Sequence, residues 1–307
     1  MVTIDSGLKD LRAARPRRIR LSKGYRVFQV VNGIVLTAVV VLTLYPFINI
    51  VARSFSEEAY IIAGKVNLVP RGFDLRAYRL VLNDELFWTS YRNTVVYTFV
   101  STLIAITLTT CFAYVLAKKH LKGRNALIGI AVFTLVFQPG LIPNYVLVTS
   151  LGLKNTIWAV ALPNAINVFN LLVMKTFFEN LPVELEEAAA VDGLNTYGIL
   201  LRIVLPLSKA VIATMVLFYA VTFWNSWFGA FLYMDRLDLF PVTVYLRNLL
   251  AGATGADFMG SAPGDVVQSA ATIQAVTIVL TVVPILAVYP FVQRFFVTGV
   301  LLGAVKG

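Results

Sequence analysis

A single cysteine, Cys111, rules out an internal disulfide anywhere in the 307-residue chain. A single histidine, His120, leaves no Cys/His cluster, so no zinc or redox centre of the usual kind is expected, and no metal site. Charged residues are scarce at 14%, far below the quarter typical of soluble domains. There is no Gly-x-x-x-x-Gly-Lys-[Ser/Thr] run, so the chain lacks the common cradle for nucleotide phosphates.

What abounds is apolar surface: 58% of residues are hydrophobic and the mean hydropathy is +0.78. One soluble core could not hide this much without leaving large exposed patches. The apolar residues fall into six runs, at about 27–51, 93–117, 126–148, 156–178, 210–234 and 272–296. Each is long enough to cross ~30 Å of hydrocarbon, and none contains Asp or Glu. Helices are the expected spanning form, because each satisfies its backbone within its own segment. Prolines at 46, 139, 143, 163, 284 and 290 predict kinks or breaks.

The expected organisation is a basic segment at 1–26, a six-helix membrane domain at 27–296 and a tail at 297–307. With the N-terminus on the cytoplasmic side, 17 of the 26 Lys and Arg fall inside, with seven of the 16 acids. The +10 net charge is then a topology signal of the positive-inside kind, and no nucleic-acid partner is needed to explain it. The outer connection before the last run contains a Gly/Ala/Ser-rich stretch, 251–264, expected to be irregular.

The inner connection at 179–209 is unlike an ordinary loop. It reads Asn180-Leu-Pro-Val-Glu-Leu-Glu-Glu-Ala-Ala-Ala-Val-Asp-Gly193. Pro182 suits the first helical position, and Glu184, Glu186 and Glu187 favour a helix N-terminus. Ala188, Ala189 and Ala190 form helix readily, and Gly193 suits a left-handed C-terminal cap. So short a helix is marginal alone, so it is expected to pack against a partner surface.

These residues carry a resemblance. Glu187-Ala-Ala-x-x-Asp192-Gly193, followed after nine residues by Ile203-x-Leu205-Pro206, matches the signature loop of ABC-importer permeases. Arg92-Asn93-Thr94, the Trp224-Asn225-Ser-Trp227 cluster, Tyr289-Pro-Phe and the Gln293-to-Gly307 tail resemble the carbohydrate-uptake branch, maltose-type six-span permeases and oligo- or polysaccharide importers of the aldouronate or alginate kind. The resemblance implies an all-α integral membrane protein with six transmembrane helices and a cytoplasmic coupling helix, the type I ABC importer fold. It implies that Glu187, Ala188, Ala189, Asp192, Gly193 and Pro206 couple to an ATPase, and that Gly299, Gly303 and Lys306 in the tail touch it. The implied partners are a second homologous permease in a heterodimer, two ATP-binding subunits that hold the ATP and Mg, an extracytoplasmic solute-binding protein, a carbohydrate substrate and membrane lipid. This chain itself would bind no cofactor and catalyse nothing. The implied location is the bacterial cytoplasmic membrane, with both termini cytoplasmic.

Polar groups at membrane depth are costly unless they face a cavity or a partner. Asn164, Asn167 and Asn170 lie three apart, which would put them on one helix face. Gln138 and Asn144 flank Pro139-Gly140 and Pro143, and Trp224 and Asn225 lie in the fifth run. Amides and aromatic faces suit sugars, so these seven are substrate-pathway candidates, although such amides often only bridge helices. An ion-coupled secondary transporter is the alternative from another class; it would usually place acids or histidine inside the runs, and none is there. Among ABC permeases, a non-sugar solute stays open as the alternative.

Overall fold

The computed structural model describes residues 23–258 and 270–304. The basic residues before Lys23, the stretch 259–269 and Lys306 lie outside the described residues. Apart from one isolated bridge between Ser56 and Phe73, all regular structure among the described residues is helical. The chain divides into two units, Met1–Asn49 and Ile50–Gly307. The first carries most of α1 (Lys23–Ser54), a 32-residue apolar helix with Pro46 inside it. At 1.5 Å per residue it is ~48 Å long, more than a hydrocarbon core requires.

In the second unit, α2 (Glu58–Ile62) and α3 (Arg76–Asn83) lead into the 33-residue α4 (Glu85–Ala117). The helices α5 (Arg124–Val136) and α6 (Leu141–Ser150) meet at 115°. The next apolar run is α7 (Trp158–Ala161) and α8 (Val168–Glu179), separated by a non-helical turn. Then come α9 (Val183–Val191), α10 (Thr196–Ile199), a π-helical segment Leu200–Val204 and α11 (Leu205–Leu207). After an 85° bend, α12 (Lys209–Trp224) and α13 (Phe228–Tyr233) form the fifth run, and α14 (Val242–Phe258) and α15 (Ala270–Ala304) complete the unit.

The expected prolines do two different things. Pro139 and Pro163 fall in breaks, the first beside Gly140 at φ +87°. Pro143 starts no break, because it sits in the first turn of α6, where a missing N–H costs nothing. Pro46, Pro284 and Pro290 lie inside continuous helices. The stretch expected to be irregular from residue 251 is helical through Phe258, since its alanines offset its glycines.

Helix α4 is the spine, with α8, α12 and α14 packed directly on it. Ser101, Ala105, Thr109 and Ala113 recur every fourth residue and are each fully buried. Side chains this small form a smooth stripe that lets neighbouring helices approach closely, as membrane helices require. Cys111 lies on the exposed side of α4. A polar junction fixes the approach. The Tyr219 hydroxyl of α12 lies 2.6 Å from Thr109 Oγ1 and accepts the Asn167 N–H at 3.0 Å. It thus joins α4, α12 and the turn before α8. Removing it leaves a buried hydroxyl and a backbone N–H without partners. Tyr219→Phe is expected to cost about 1–2 kcal/mol, read as a lower thermal midpoint of the detergent-solubilised chain; an unchanged midpoint would refute the junction.

At the other end of α4, the Arg92-Asn93-Thr94 motif acquires a physical role. Asn93 Nδ2 donates to the carbonyls of Asp238 (2.7 Å) and Phe240 (3.2 Å), and Thr94 Oγ1 accepts the Val242 N–H at 2.8 Å. Tyr97 adds a bond to the Leu239 carbonyl at 2.9 Å. Together they sew the α13–α14 connection onto α4.

Candidate functional site

The site begins with how α9 is held. Pro182 stands at its N-cap, one position earlier than expected, and Glu184 and Glu186 occupy the first turn near the positive helix end. At the other end Gly193 has φ +84°. Its N–H bonds the Ala190 carbonyl and the Leu194 N–H bonds the Ala189 carbonyl, each at 3.0 Å. This is a Schellman cap, and it turns the chain straight into α10. Nothing lies near the position of a Cβ at Gly193, so the glycine is required by its backbone angle and not by space. Gly193→Ala is expected to cost about 1–2 kcal/mol, visible as faster protease cleavage at 190–195 with the rest of the chain unaffected.

Two ion-paired groups then tie α9 and its entry to the bundle. Glu186 pairs with Lys118, at the end of α4, whose ammonium also lies 4.2 Å from the Tyr114 ring centroid. Burial pushes the Lys118 ammonium below its usual pKa. Glu179, at the end of α8, takes both Lys175 (2.7 Å) and Arg124. Arg124 also donates to the Leu116 carbonyl at 2.7 Å.

The two sides of α9 differ. Glu187, Ala188, Asp192 and Gly193 are exposed, and so are Val191 at 88% and Tyr197 at 77%. Ala189 is 5% exposed and belongs to the apolar cluster that includes Tyr114, Leu116, Phe178 and Ile199. The reading that put Ala189 on the docking face with Ala188 is therefore corrected: its side chain is a contact within this chain. Pro206 is exposed, unlike Ala189, and stays an expected coupling residue. It sits in α11, after the π-helical segment and two residues before the 85° bend. Without an N–H it cannot continue the regular ladder, and it stands at the elbow between the π-helical segment and α12. Gly299 and Gly303 fall in the backbone of α15, which runs unbroken past 296 to Ala304.

The substrate-pathway candidates separate into three breaks. Gln138 is exposed in the α5–α6 break and Asn144 is exposed in α6. Asn164, Asn167 and Asn170 do not share a helix face, because 164–167 is not helical. Asn167 is the N-cap of α8, its Oδ1 accepting the Asn170 N–H at 3.1 Å, while Asn170 is buried and Asn164 exposed. Trp224 and Asn225 stand at the α12–α13 break. Asn225 Nδ2 bonds the Val221 carbonyl at 2.8 Å. Trp224 packs edge-on to Tyr91, and its buried Nε1 has no hydrogen-bond partner among the described residues. Trp224 also lines a cavity of about 400 Å³ between α4, α12 and α15, with Thr98, Thr102 and Pro284. The walls are nearly all apolar, so the cavity alone does not define a sugar site. Sequence reasoning missed Tyr219, Lys118 and the threonines; a tyrosine inside an apolar run and a lysine ending one were the available signals.

Comparison with known proteins agrees with this architecture. No protein-family model matches the chain. Protein LplC of Bacillus subtilis (strain 168) is 43% identical over 292 residues, 93% of this chain and 97% of that protein. The polygalacturonan/rhamnogalacturonan transport system permease protein YtcP of the same organism is 41% identical, over 87% of this chain and 93% of that one. A solved chain from a bacterial ABC transporter involved in the import of the acidic polysaccharide alginate matches with a TM-score of 0.81 at 34% identity, covering 90% of this chain and 99% of that one. The class is thus an all-α integral membrane protein of six spanning segments and a coupling helix, the type I ABC importer fold. The chain belongs to the permease family of ABC transport systems.

Proposed function

We propose that the chain forms half of the translocation pathway of a binding-protein-dependent importer for an oligo- or polysaccharide. It would pair with a second permease in a heterodimer in the bacterial cytoplasmic membrane. The charge distribution along the chain supports a cytoplasmic N-terminus, which puts α9 and the tail on the same side. Two ATP-binding subunits would hold the ATP and Mg and perform all hydrolysis. An extracytoplasmic binding protein would deliver the sugar to the other face.

The observation that carries this reading is α9, capped at its C-terminal end, ion-paired to α4 and presenting an exposed face with Glu187, Ala188 and Asp192. A helix held this way moves with the spans as a lever. When the ATP-binding subunits close they would displace α9, the spans would rock open outward, and sugar would enter between the permeases. Hydrolysis would reset the inward-open state. Gln138, Asn144, Asn164, Asn167, Asn170, Trp224 and Asn225 remain the proposed pathway residues, Glu187, Ala188, Asp192, Gly193 and Pro206 the proposed coupling residues, and Gly299, Gly303 and Lys306 the proposed tail contacts.

The test is purification of the chain from native membranes with its partners, followed by ATPase assay with binding protein and oligosaccharides. Co-purification of a second permease and an ATP-binding subunit, with hydrolysis stimulated by a sugar, is expected. Hydrolysis stimulated only by a non-saccharide solute would overturn the substrate class.

A further inference from the structure

Arg247 belongs to α14, in the outer connection between the fifth and sixth apolar runs. Counting charges treats it as one outer basic residue among several. Its surroundings are more specific. The guanidinium carbon sits 4.0 Å from the Phe231 ring centroid and 5.1 Å from that of Trp227. The two rings are tilted neighbours, 6.0 Å apart, and Phe228 meets Trp227 edge-on at 5.4 Å. Trp227, Phe228 and Phe231 are each more than a third exposed. The platform follows from the fold. Trp227 and Phe231 are one helical turn apart, joined by the Phe231 N–H bond to the Trp227 carbonyl at 2.8 Å. The start of α14 is fastened beside them by Thr243 Oγ1, which donates to the Ser226 carbonyl at 3.2 Å.

Stacking on aromatic rings engages the face of a guanidinium and leaves its edge free. Five N–H donors project from that edge. Among the described residues, no side chain pairs ionically with Arg247 and none accepts a hydrogen bond from it. A planar cation, oriented by aromatic contact and carrying an unused fork of donors, matches a carboxylate in two-point geometry. Beside it, exposed ring surface suits the C–H face of a sugar.

We propose that Arg247, held on Trp227 and Phe231, receives the carboxylate of a uronate unit of the transported saccharide. This rests on the carbohydrate-import reading and adds the substrate's charge to it. Both the polygalacturonan permease and the alginate importer described above are named for acidic polymers, which agrees with an anionic cargo. The same N–H groups would also donate to an outer-leaflet lipid phosphate, so the experiment separates the two.

The complete importer, with both permeases, ATP-binding subunits and binding protein, is reconstituted in vesicles of zwitterionic lipid and in vesicles containing anionic lipid. Uptake of trigalacturonate is compared with uptake of its neutral methyl ester for the wild type, Arg247→Gln and Arg247→Lys. In both vesicle types, Arg247→Gln is expected to lower uptake of the acid about tenfold and to leave the ester within about twofold. Arg247→Lys falls between, because it keeps the charge but loses the planar fork. Equal losses for acid and ester would assign Arg247 a structural role and overturn the proposal. So would unchanged uptake of both, or a defect confined to anionic vesicles, which would make lipid the ligand. Wild-type uptake of neutral oligosaccharides alone would remove the uronate and leave sugar import standing. Uptake of no saccharide at all would overturn both.

Discussion

An Ala188→Asp chain is expected to fold and insert normally and to lose its ATP-binding subunit on purification. The neighbouring substitution, Ala189→Asp, is expected to damage the permease itself. The two alanines are adjacent, but one is exposed and the other 5% exposed within the apolar cluster of Tyr114, Leu116 and Phe178. A carboxylate at Ala189 would enter that apolar cluster, beside a Lys118 already paired with Glu186, and an uncompensated buried charge costs about 3–5 kcal/mol. That is a large fraction of a typical folding free energy. Lower yield and a lower thermal midpoint in detergent are expected even without partners. At Ala188 the same carboxylate is solvated in the isolated chain and buried only on docking. Loss of about 3 kcal/mol there would weaken association roughly a hundredfold. Co-purification, compared with thermal stability of the chain alone, separates the cases. An Ala188→Asp chain that keeps its ATP-binding subunit would refute docking through this face; an Ala189→Asp chain of wild-type stability would refute its inward placement.

The contrast shows which parts of the molecule are readable from sequence. The six apolar runs are legible because hydrocarbon imposes a length and excludes charge. The ends of α9 are legible because caps are local: Pro182, the first-turn glutamates and Gly193 sit within a dozen residues of one another. Which alanine faces inward is not. It depends on cluster partners such as Tyr114 and Phe178, which reach α9 only after α4, α5 and α8 have packed. The breaks fail for a related reason. Pro163 and Pro284 both lie in apolar runs, yet only the first falls in a break. There Asn167 caps the new helix and Tyr219 satisfies the freed Asn167 N–H. Tyr219 is far along the chain from Thr109, so that junction leaves no local mark. The asparagines spaced by three suggested a helix face because spacing alone cannot show that the second one ends a turn.

Reversing the charge of either Lys118 or Glu186 is expected to separate ATP hydrolysis from transport, and exchanging the two is expected to restore it. If α9 is a lever, its motion must enter the spans through what binds it to them. The packing of Ala189 supplies one connection and the Lys118–Glu186 pair another, directly to the end of the spine helix α4. Each partner is roughly a fifth exposed, so water screens the pair only partly. Removing one member leaves the other poorly solvated, at a cost of about 1–3 kcal/mol, between the values for surface and buried pairs. That is small beside the stability of the whole bundle, so Lys118→Glu and Glu186→Lys chains are expected to assemble with their partners. The cost falls on the attachment of α9, which would slip against α4 when the ATP-binding subunits close. Hydrolysis would then continue while sugar uptake per ATP falls about five- to tenfold. The exchanged pair, with Glu at 118 and Lys at 186, keeps the attraction and is expected to recover most of that ratio. A role in folding alone would lower assembly, hydrolysis and uptake in parallel and leave the ratio unchanged. The decisive readout is therefore transport per ATP in reconstituted vesicles, measured for both single reversals and the exchange. Failure of the exchange to recover the ratio, with assembly intact, would show that α9 is driven through its apolar face and that the ion pair is incidental.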